Sequence, residues 1–412
     1  MKGNVLVGQS GGPTAVINSS LAGVIQAAKK YGAGKVYGMH YGIEGFLKED
    51  IIDLDEYITC HADLSLLKRT PSAFLGSCRY KLPPIEGNED VYDRMFEIME
   101  KYNIEYFLYI GGNDSMDTIK MLSDYAAKDK PQKFMGVPKT IDNDLPLTDH
   151  TPGYGSAAKY IATSMKEIIR DNASFGASKP TVCVVEIMGR HAGWLTAASA
   201  LSRDSDCEGP DLIYLPEVPF DLDSFMEKVK HLAETKRSVV IAVSEGVRLA
   251  DGRFVCELGN MSDYVDAFGH KQLSGCASFL TNKITEATGL KSRPIEFSTL
   301  QRCATHMASR VDVDEAAAVG FVACQAAMEG HTGMMITIQV TSREPYLVTY
   351  NKYDIHEIAN VERKVPRDWI INDGTYVSEK YLEYARPLIL GNILPYYAGG
   401  LPKHLTLHTK DK

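Results

Sequence analysis

The chain has 412 residues, of which 44% are hydrophobic and 24% are charged, and this composition is typical of a globular protein. A chain of this length rarely folds around one core, so two domains are predicted. The formal net charge of −9 argues against general nucleic-acid binding, which needs a basic surface, but it leaves small anionic substrates open. No apolar run approaches the roughly 18 residues that a membrane span requires, so no membrane partner is expected.

The eight cysteines indicate a reducing environment. They form no CxxC pair and no His/Cys spacing suited to zinc. Cys183 and Cys324 lie inside apolar runs and are predicted to be small core residues. The N-terminal residues enter a strand pattern at once, which leaves no room for a signal peptide. A cytoplasmic location is therefore predicted.

Short apolar runs recur along the chain, each followed by glycine or polar turn residues and then by a helix-like stretch. In chain order the clearest are NVLVGQ, YFLYIGG, KFMGVP, TVCVVEI, DLIYLPEV, SVVIAVS and MMITIQV. Apolar strands that alternate with helices predict an α/β fold with a mostly parallel sheet covered on both faces. In such folds ligands bind at the carboxyl ends of the strands. Residues 249–292 have weaker periodicity and are predicted to form an insertion, and the tail after about residue 360 is predicted to pack on the core.

Two glycine-rich turns follow the first predicted strands. Gly11 and Gly12 sit between a strand and a helix, an arrangement that favours anion binding through backbone N–H groups and the helix dipole. The same turn is equally compatible with tight packing. In the second turn, IGGNDSMDTIKML, Asn113 and Asp114 open a helix and have an alternative interpretation as helix caps. Asp114 is unexpected there, because it places a fixed negative charge where a phosphate would bind.

The turn GVPKTIDND carries the strongest chemical signal in the sequence. Asp142 and Asp144 follow a strand, with Lys139 and Thr140 ahead of them. One carboxylate can accept a proton from an attacking hydroxyl and the other can help to hold Mg²⁺. Lys139 would supply positive charge for a phosphoryl group in transit. The alternative is a run of Asx turns that closes the strand.

Three later strand ends add charged residues. Arg190 in EIMGRHAGW can form a bidentate contact with a phosphate. Glu245 in SEGVR can accept hydrogen bonds from sugar hydroxyls or stand at the start of a helix. Arg293 and Arg302 bracket the strand-like run in SRPIEFSTLQRCA, although surface arginines are usually solvated. His191 is interpreted as structural. Each signal alone is modest, but all of these loops fall at strand ends of one α/β chain.

In this order, the motifs SGGPTAVIN, GSCR, GGNDS, PKTIDND, TPGYGSA, MGR, EG and LQR resemble those of the phosphofructokinase family. The similarity runs from about residue 4 to residue 340. Asp114 and Lys139 stand where ATP-using members have small residues, so the chain is similar to the pyrophosphate-dependent branch. The resemblance implies two Rossmann-like doubly wound domains with the active site in the cleft between them. It divides the chain into a donor domain of residues 1–157 and about 301–360, a sugar-phosphate domain of 158–300, and a C-terminal extension of 361–412.

The resemblance implies Mg²⁺-dependent phosphoryl transfer from pyrophosphate to the C1 hydroxyl of fructose 6-phosphate. Asp142 matches the general base, Lys139 the stabiliser of the transferring group, and Asp114 a residue that repels the α-phosphate of ATP. The other matched positions are the donor ligands Gly12, Arg79, Gly112 and Ser115, the sugar-phosphate ligands Thr140, Met188, Gly189, Arg190, Glu245, Arg293, Thr299 and Arg302, and the metal positions Asn113 and Asp144.

Three positions depart from the family pattern. Asn113 is a neutral amide where a metal-assisting acid is usual, and Thr299 replaces a histidine of the sugar-phosphate site. Thr181 stands where ATP-using tetramers send an arginine into the neighbouring subunit. A homodimer or homotetramer is expected, with the dimer favoured.

Three rival functions remain at this point. An ATP-dependent 6-phosphofructokinase is disfavoured by Asp114 and Lys139, and a non-catalytic sugar-phosphate-binding subunit by the intact Asp142 and Asp144. A dinucleotide oxidoreductase lacks the GxGxxG fingerprint.

Overall fold

The computed structural model describes residues 3–127, 130–175, 179–259, 273–359 and 361–407. The strands in these ranges are β1 (Asn4–Gln9), β2 (Val36–Met39), β3 (Ile51–Asp53), β4 (Ile104–Gly111), β5 (Lys133–Pro138), β6 (Thr181–Ile187), β7 (Leu212–Tyr214), β8 (Ser238–Ser244), β9 (Lys291–Glu296), β10 (Met334–Arg343), β11 (Tyr346–Asp354), β12 (Ile370–Ile371), β13 (Tyr376–Val377), β14 (Tyr397–Ala398) and β15 (Leu401–Pro402). The α-helices are α1 (Ile17–Tyr31), α2 (Gly42–Leu47), α3 (His61–Leu67), α4 (Glu89–Lys101), α5 (Asn113–Ala126), α6 (Tyr154–Ala173), α7 (Trp194–Ala197), α8 (Leu222–Thr235), α9 (Cys276–Thr288), α10 (Leu300–Cys303), α11 (Arg310–Met328) and α12 (Glu379–Ala385).

A seven-stranded sheet forms the first half of the molecule, in the order β11-β10-β5-β4-β1-β2-β3. Its central pairs are parallel, and only the outermost pairs, β2–β3 and β10–β11, are antiparallel. The central strands are almost entirely buried, because helices and loops cover both faces with apolar side chains. The carboxyl ends of β1, β4 and β5 therefore meet along one edge, and the glycine-rich turns follow them there.

A four-stranded sheet, in the order β7-β8-β6-β9, forms the second half and is parallel throughout. Apolar side chains again cover both of its faces. The predicted α/β class with mostly parallel sheets is confirmed. The predicted insertion at 249–292 is wrong for its described C-terminal part, because α9 packs on β6 and on β9 and so belongs to the second sheet's layer. Residues 260–272 of that prediction lie outside the described ranges.

The C-terminal segment returns across the second sheet. Tyr376, Tyr381 and Tyr384 are buried in the same apolar cluster as Trp194, so this segment contributes core packing. Farther on, Leu394 and Leu401 are exposed around the short β14–β15 hairpin. The domain boundaries implied by the resemblance stay a prediction.

Two further sequence predictions are open to direct comparison. Cys183 and Cys324 are buried, as predicted, and all eight cysteines are free thiols. Among the described helices, none combines the length and the apolar character that a membrane crossing requires.

Candidate active site between the two sheets

The carboxyl ends of the two sheets face each other across a cleft of about 990 Å³. This volume lies at the upper end of the range for small-molecule sites. Fifteen of the sequence-predicted residues line it: Gly12, Arg79, Gly112, Asn113, Asp114, Ser115, Lys139, Thr140, Asp142, Asp144, Met188, Arg190, Glu245, Thr299 and Arg302. Two of the predicted residues do not line the cleft, namely Gly189, which lies between Met188 and Arg190, and Arg293.

The first glycine turn brings the backbone close to two cations. Gly11 has a φ of +73°, a left-handed conformation that favours glycine. The carbonyl oxygen of Gly12 accepts a hydrogen bond of 2.8 Å from Lys139 Nζ. A Cβ atom added to Gly12 would lie 3.1 Å from Arg302 Nη1. Because Gly12 has no side chain, a lysine and an arginine both lie close to this turn, and their charges suit an anion.

The second glycine turn forms the start of α5. Gly112 is the residue before the helix, and its carbonyl accepts the Ser115 and Met116 N–H groups. Asp114, in the first helical turn, is exposed and lines the cleft. The Asn113 side-chain nitrogen donates to the Val361 carbonyl at 3.2 Å.

Lys139 is the most deeply buried cation of the cleft, with 4% of its surface exposed. Burial lowers its pKa to about 8, although the nearby carboxylates of Asp142 and Asp144 oppose this shift. At neutral pH the amino group is therefore largely protonated. Because the surroundings have a low dielectric constant, its charge acts strongly on a nearby anion.

The loop after β5 carries the two predicted carboxylates. Thr140 Oγ1 donates to Asp142 Oδ2 at 3.3 Å and accepts the Asp142 N–H at 3.1 Å. Burial raises the pKa of Asp142, against the opposing charge of Lys139. Burial and the neighbouring charges of Asp142 and Glu362 raise the pKa of Asp144 to about 7. With a pKa near 7, the Asp144 carboxyl group can exchange a proton near neutrality.

The opposite wall follows β6 and β8. The Gly189 N–H donates to Glu245 Oε1 at 3.4 Å, and the Gly189 carbonyl accepts from Ser244 Oγ at 2.6 Å. A Cβ atom on Gly246 would lie 2.2 Å from the Arg190 carbonyl oxygen, so this glycine permits the two loops to touch. Burial raises the pKa of Glu245 to about 8.

Arg302 and Arg293 occupy different environments. Arg302 lies in α10, and its side chain lines the cleft beside Gly12. Arg293 lies in the middle of β9, where it is paired with Cys183 of β6, and its side chain forms an ion pair of 3.2 Å with Asp171. Arg293 therefore does not line the cleft of its own chain, and its role as a phosphate ligand stays a prediction.

Sequence reasoning missed several residues of the cleft. Glu186 precedes the MGR motif, and its Oε2 accepts the Ala277 N–H at 2.8 Å near the start of α9. Gln301 Oε1 accepts the Met188 N–H at 3.3 Å, and the LQR motif contained that signal. Glu362 enters the cleft from the C-terminal segment, and no strand or turn pattern indicated it.

The donor set of the cleft suits a hard cation. Asp142 and Asp144 supply carboxylates, and the Asn113 Oδ1 atom is buried without a hydrogen-bond partner in the described structure. No group of three or more His, Cys, Asp or Glu side chains forms a self-sufficient metal site in the described ranges. Mg²⁺ typically uses one or two carboxylates together with substrate oxygens, so these residues fit a metal that binds with a phosphate substrate.

The sequence matches the model of the phosphofructokinase family over residues 4–327. The pyrophosphate–fructose 6-phosphate 1-phosphotransferase of Halomonas elongata is 43% identical over 403 residues, which cover 97% of this chain and 95% of that protein. The enzyme of the same name from Methylococcus capsulatus is 42% identical over 407 residues, with coverages of 98% and 96%.

A solved structure has the same architecture. The pyrophosphate-dependent phosphofructokinase of Nitrosospira multiformis superposes with a TM-score of 0.88 at 39% sequence identity. The superposition covers 98% of this chain and 96% of the other. The similarity therefore extends over both sheets and the C-terminal segment.

Proposed function

The chain belongs to the phosphofructokinase family, and we propose that it transfers a phosphoryl group from pyrophosphate to the C1 hydroxyl of fructose 6-phosphate. The products are fructose 1,6-bisphosphate and phosphate, and the reaction is reversible. The full-length similarity to pyrophosphate-using relatives supports this proposal.

One observation carries the choice of donor. Asp114 and Lys139 face the same cleft, the former exposed at the start of α5 and the latter buried at the end of β5. A carboxylate at this point repels the additional phosphate of a nucleotide, whereas pyrophosphate ends before it. The buried ammonium group of Lys139 attracts the phosphoryl group that both donors share.

Asp142 is the proposed general base. It faces the cleft, its pKa is raised by burial, and Thr140 orients its carboxylate through a hydrogen bond. In that position it takes the proton from the attacking C1 hydroxyl as the bond to phosphorus forms. Lys139 balances the charge on the transferring group, so catalysis rests on orientation and electrostatic stabilisation.

The remaining lining residues bind the two substrates. On the donor side these are Gly12, Arg79, Gly112 and Ser115. On the sugar side they are Thr140, Met188, Arg190, Glu245, Thr299 and Arg302, together with Gly189, whose N–H donates to Glu245. Among them, Arg302 is the proposed ligand of the 6-phosphate.

Mg²⁺ is the proposed cofactor, held by Asp144 and the Asn113 amide oxygen together with substrate oxygens. When bound, it neutralises phosphate charge and orients the donor. The pKa of Asp144 is raised to about 7 because burial and the carboxylates of Asp142 and Glu362 outweigh the charge of Lys139, and a bound metal ion would offset this repulsion.

We further propose a cytoplasmic homodimer or homotetramer. The eight free thiols fit a reducing compartment. Thr181, buried at the start of β6, supplies no arginine to a neighbouring subunit, so the dimer is favoured. The net charge of −9 disfavours a nucleic-acid partner.

The test is the initial rate of fructose 1,6-bisphosphate formation from fructose 6-phosphate and Mg²⁺, with pyrophosphate or ATP as the donor. Turnover with pyrophosphate and little with ATP is expected. Turnover with ATP alone would make the chain an ATP-dependent 6-phosphofructokinase, and no turnover with either donor would favour a non-catalytic sugar-phosphate-binding role.

A further inference from the structure

The C-terminal segment crosses the catalytic loop, which comprises residues 142–149. We call residues 361–365 the strap. At one end of the strap the Val361 carbonyl accepts the Asn113 amide at 3.2 Å. At the other end the Val365 N–H donates to Glu217 Oε1 at 3.0 Å. The strap therefore links the start of α5, on the first sheet, to the second half of the molecule.

Arg363, in the middle of the strap, donates to four main-chain carbonyls of the catalytic loop. Its backbone N–H bonds the Asp144 carbonyl at 2.7 Å, and Nη2 bonds the Asn143 carbonyl at 3.1 Å. Nη1 bonds the Thr148 carbonyl at 3.0 Å and the Asp149 carbonyl at 2.5 Å. One guanidinium group thus spans both ends of the loop.

Two aromatic residues hold Arg363 from the other side. Its guanidinium carbon lies 4.6 Å from the centre of the Trp194 ring, and Trp194 Nε1 donates to the Arg363 carbonyl at 3.1 Å. The Tyr384 hydroxyl accepts from Arg363 Nη2 at 3.3 Å and from the Asn143 amide at 2.7 Å. It donates to the Asp149 carbonyl at 2.8 Å. Trp194 and Tyr384 are both buried, so they hold the arginine side chain in one position.

The loop needs such support because of its own conformation. Asn143, between the two catalytic carboxylates, has a φ of +56°, which a residue with a side chain rarely adopts. The carbonyls of this irregular stretch have no sheet partners and require other donors. Arg363 supplies these donors, so the directions of the Asp142 and Asp144 side chains depend on a residue outside the loop.

We propose that Arg363 is a positioning residue that fixes the catalytic loop, and with it the base Asp142, for phosphoryl transfer. The expected effect on kcat rests on the proposed function, whereas the expected effect on the conformation of the loop does not. It gives the C-terminal extension a part in catalysis, although Arg363 itself does not line the cleft.

The experiment compares Arg363→Met with Arg367→Met in the full-length protein. Arg367 is an exposed arginine four residues further along the same segment, so the pair matches in chemistry and neighbourhood. Hydrogen–deuterium exchange of the peptides that cover residues 141–149 reports on the loop without requiring turnover. Steady-state kinetics, well below the melting temperature, separates kcat from the KM for fructose 6-phosphate.

In Arg363→Met we expect faster exchange in residues 141–149 and a kcat about tenfold to a hundredfold lower, since small misplacements of reacting groups have effects of that order. The KM for fructose 6-phosphate should stay within about threefold, because Arg302 and Glu245 are untouched. Arg367→Met should match the wild type in both measurements. A purely structural role would lower the melting temperature but leave kcat per folded molecule unchanged.

Unchanged loop exchange, or unchanged kcat in the folded variant, would overturn the proposal. If Arg363→Met does not fold, Tyr384→Phe replaces it, because this change removes one hydroxyl that bonds Asn143, Arg363 and Asp149. We expect faster exchange in the loop and a kcat lower by at least about threefold to tenfold, the effect of losing one of these three hydrogen bonds. A wild-type result would be equally decisive. If the wild-type protein shows no turnover with pyrophosphate, the proposed function is wrong. The exchange data would still test whether Arg363 holds the catalytic loop.

Discussion

The two walls of the cleft hold their charges in different ways. On the wall of the first sheet, Lys139 is buried and bonded to the Gly12 carbonyl, and Asp114 stands at a helix start, so both charges are fixed close to the backbone. On the wall of the second sheet, Arg190 and Arg302 are partly exposed and reach into the cleft on long side chains. The first arrangement suits discrimination between donors by fixed charge, and the second suits the grip on a flexible sugar phosphate.

Asp142 follows β5 and faces the cleft, and its replacement should have the largest effect. In Asp142→Asn the shape is kept but the proton acceptor is lost, so kcat should fall by about 10²–10⁴. The KM for fructose 6-phosphate should change little, because neither wall is altered. Steady-state kinetics with pyrophosphate measures both quantities.

Asp223→Asn, an exposed position in the first turn of α8, is the matched control and should behave as the wild type. A kcat for Asp142→Asn within tenfold of the wild type would mean that Asp142 is not the general base.

The wall of the second sheet is tested by the pair Arg302→Met and Arg293→Met. Loss of a charged hydrogen-bond donor to a phosphate should raise the KM for fructose 6-phosphate about 10–100-fold in Arg302→Met. Arg293 pairs with Asp171 away from the cleft, so its replacement should change KM less than about threefold. Equal increases would mean that Arg293 reaches a substrate outside its own chain.

Lys139, on the wall of the first sheet, should make the activity fall at alkaline pH. Burial lowers the pKa of Lys139 to about 8, and only the protonated form stabilises the transferring group. The kcat/KM for pyrophosphate should therefore fall as pH rises through about 8, by up to tenfold per unit. In Lys139→Arg the charge persists to high pH, so this limb should vanish. A limb at the same pH in that variant would belong to another group.

How much of this could be predicted depends on where a residue stands relative to a strand. Gly12, Asp114, Lys139 and Asp142 directly follow parallel strands, and parallel topology brings such residues to one edge. Their convergence in the cleft was therefore accessible from the sequence. The expectation for Arg293 came from the family resemblance and not from a strand end, and this residue lies within β9, outside the lining of its own chain's cleft.

Other features had no local signal. Glu362 and Arg363 belong to a segment without regular structure, which reaches the cleft only because Trp194 and Tyr384 anchor it. The edge strand β11 is half exposed along its length, so it lacks the apolar run that marks a buried strand. Long-range packing of this kind cannot be derived from spacing along the chain.

The central claim is that the charge of Asp114 excludes nucleotide donors, and its most direct test is the ratio of kcat/KM for ATP to that for pyrophosphate. Two unit charges about 4 Å apart interact by about 4 kcal/mol at an effective dielectric of about 20, or up to roughly a thousandfold in rate. The ratio is measured in the wild type, in the isosteric Asp114→Asn and in Asp114→Gly combined with Lys139→Gly. We predict a rise in the ratio in Asp114→Asn, and a further rise in the double variant as pyrophosphate use collapses. A ratio that stays at the wild-type value in both variants would contradict the account.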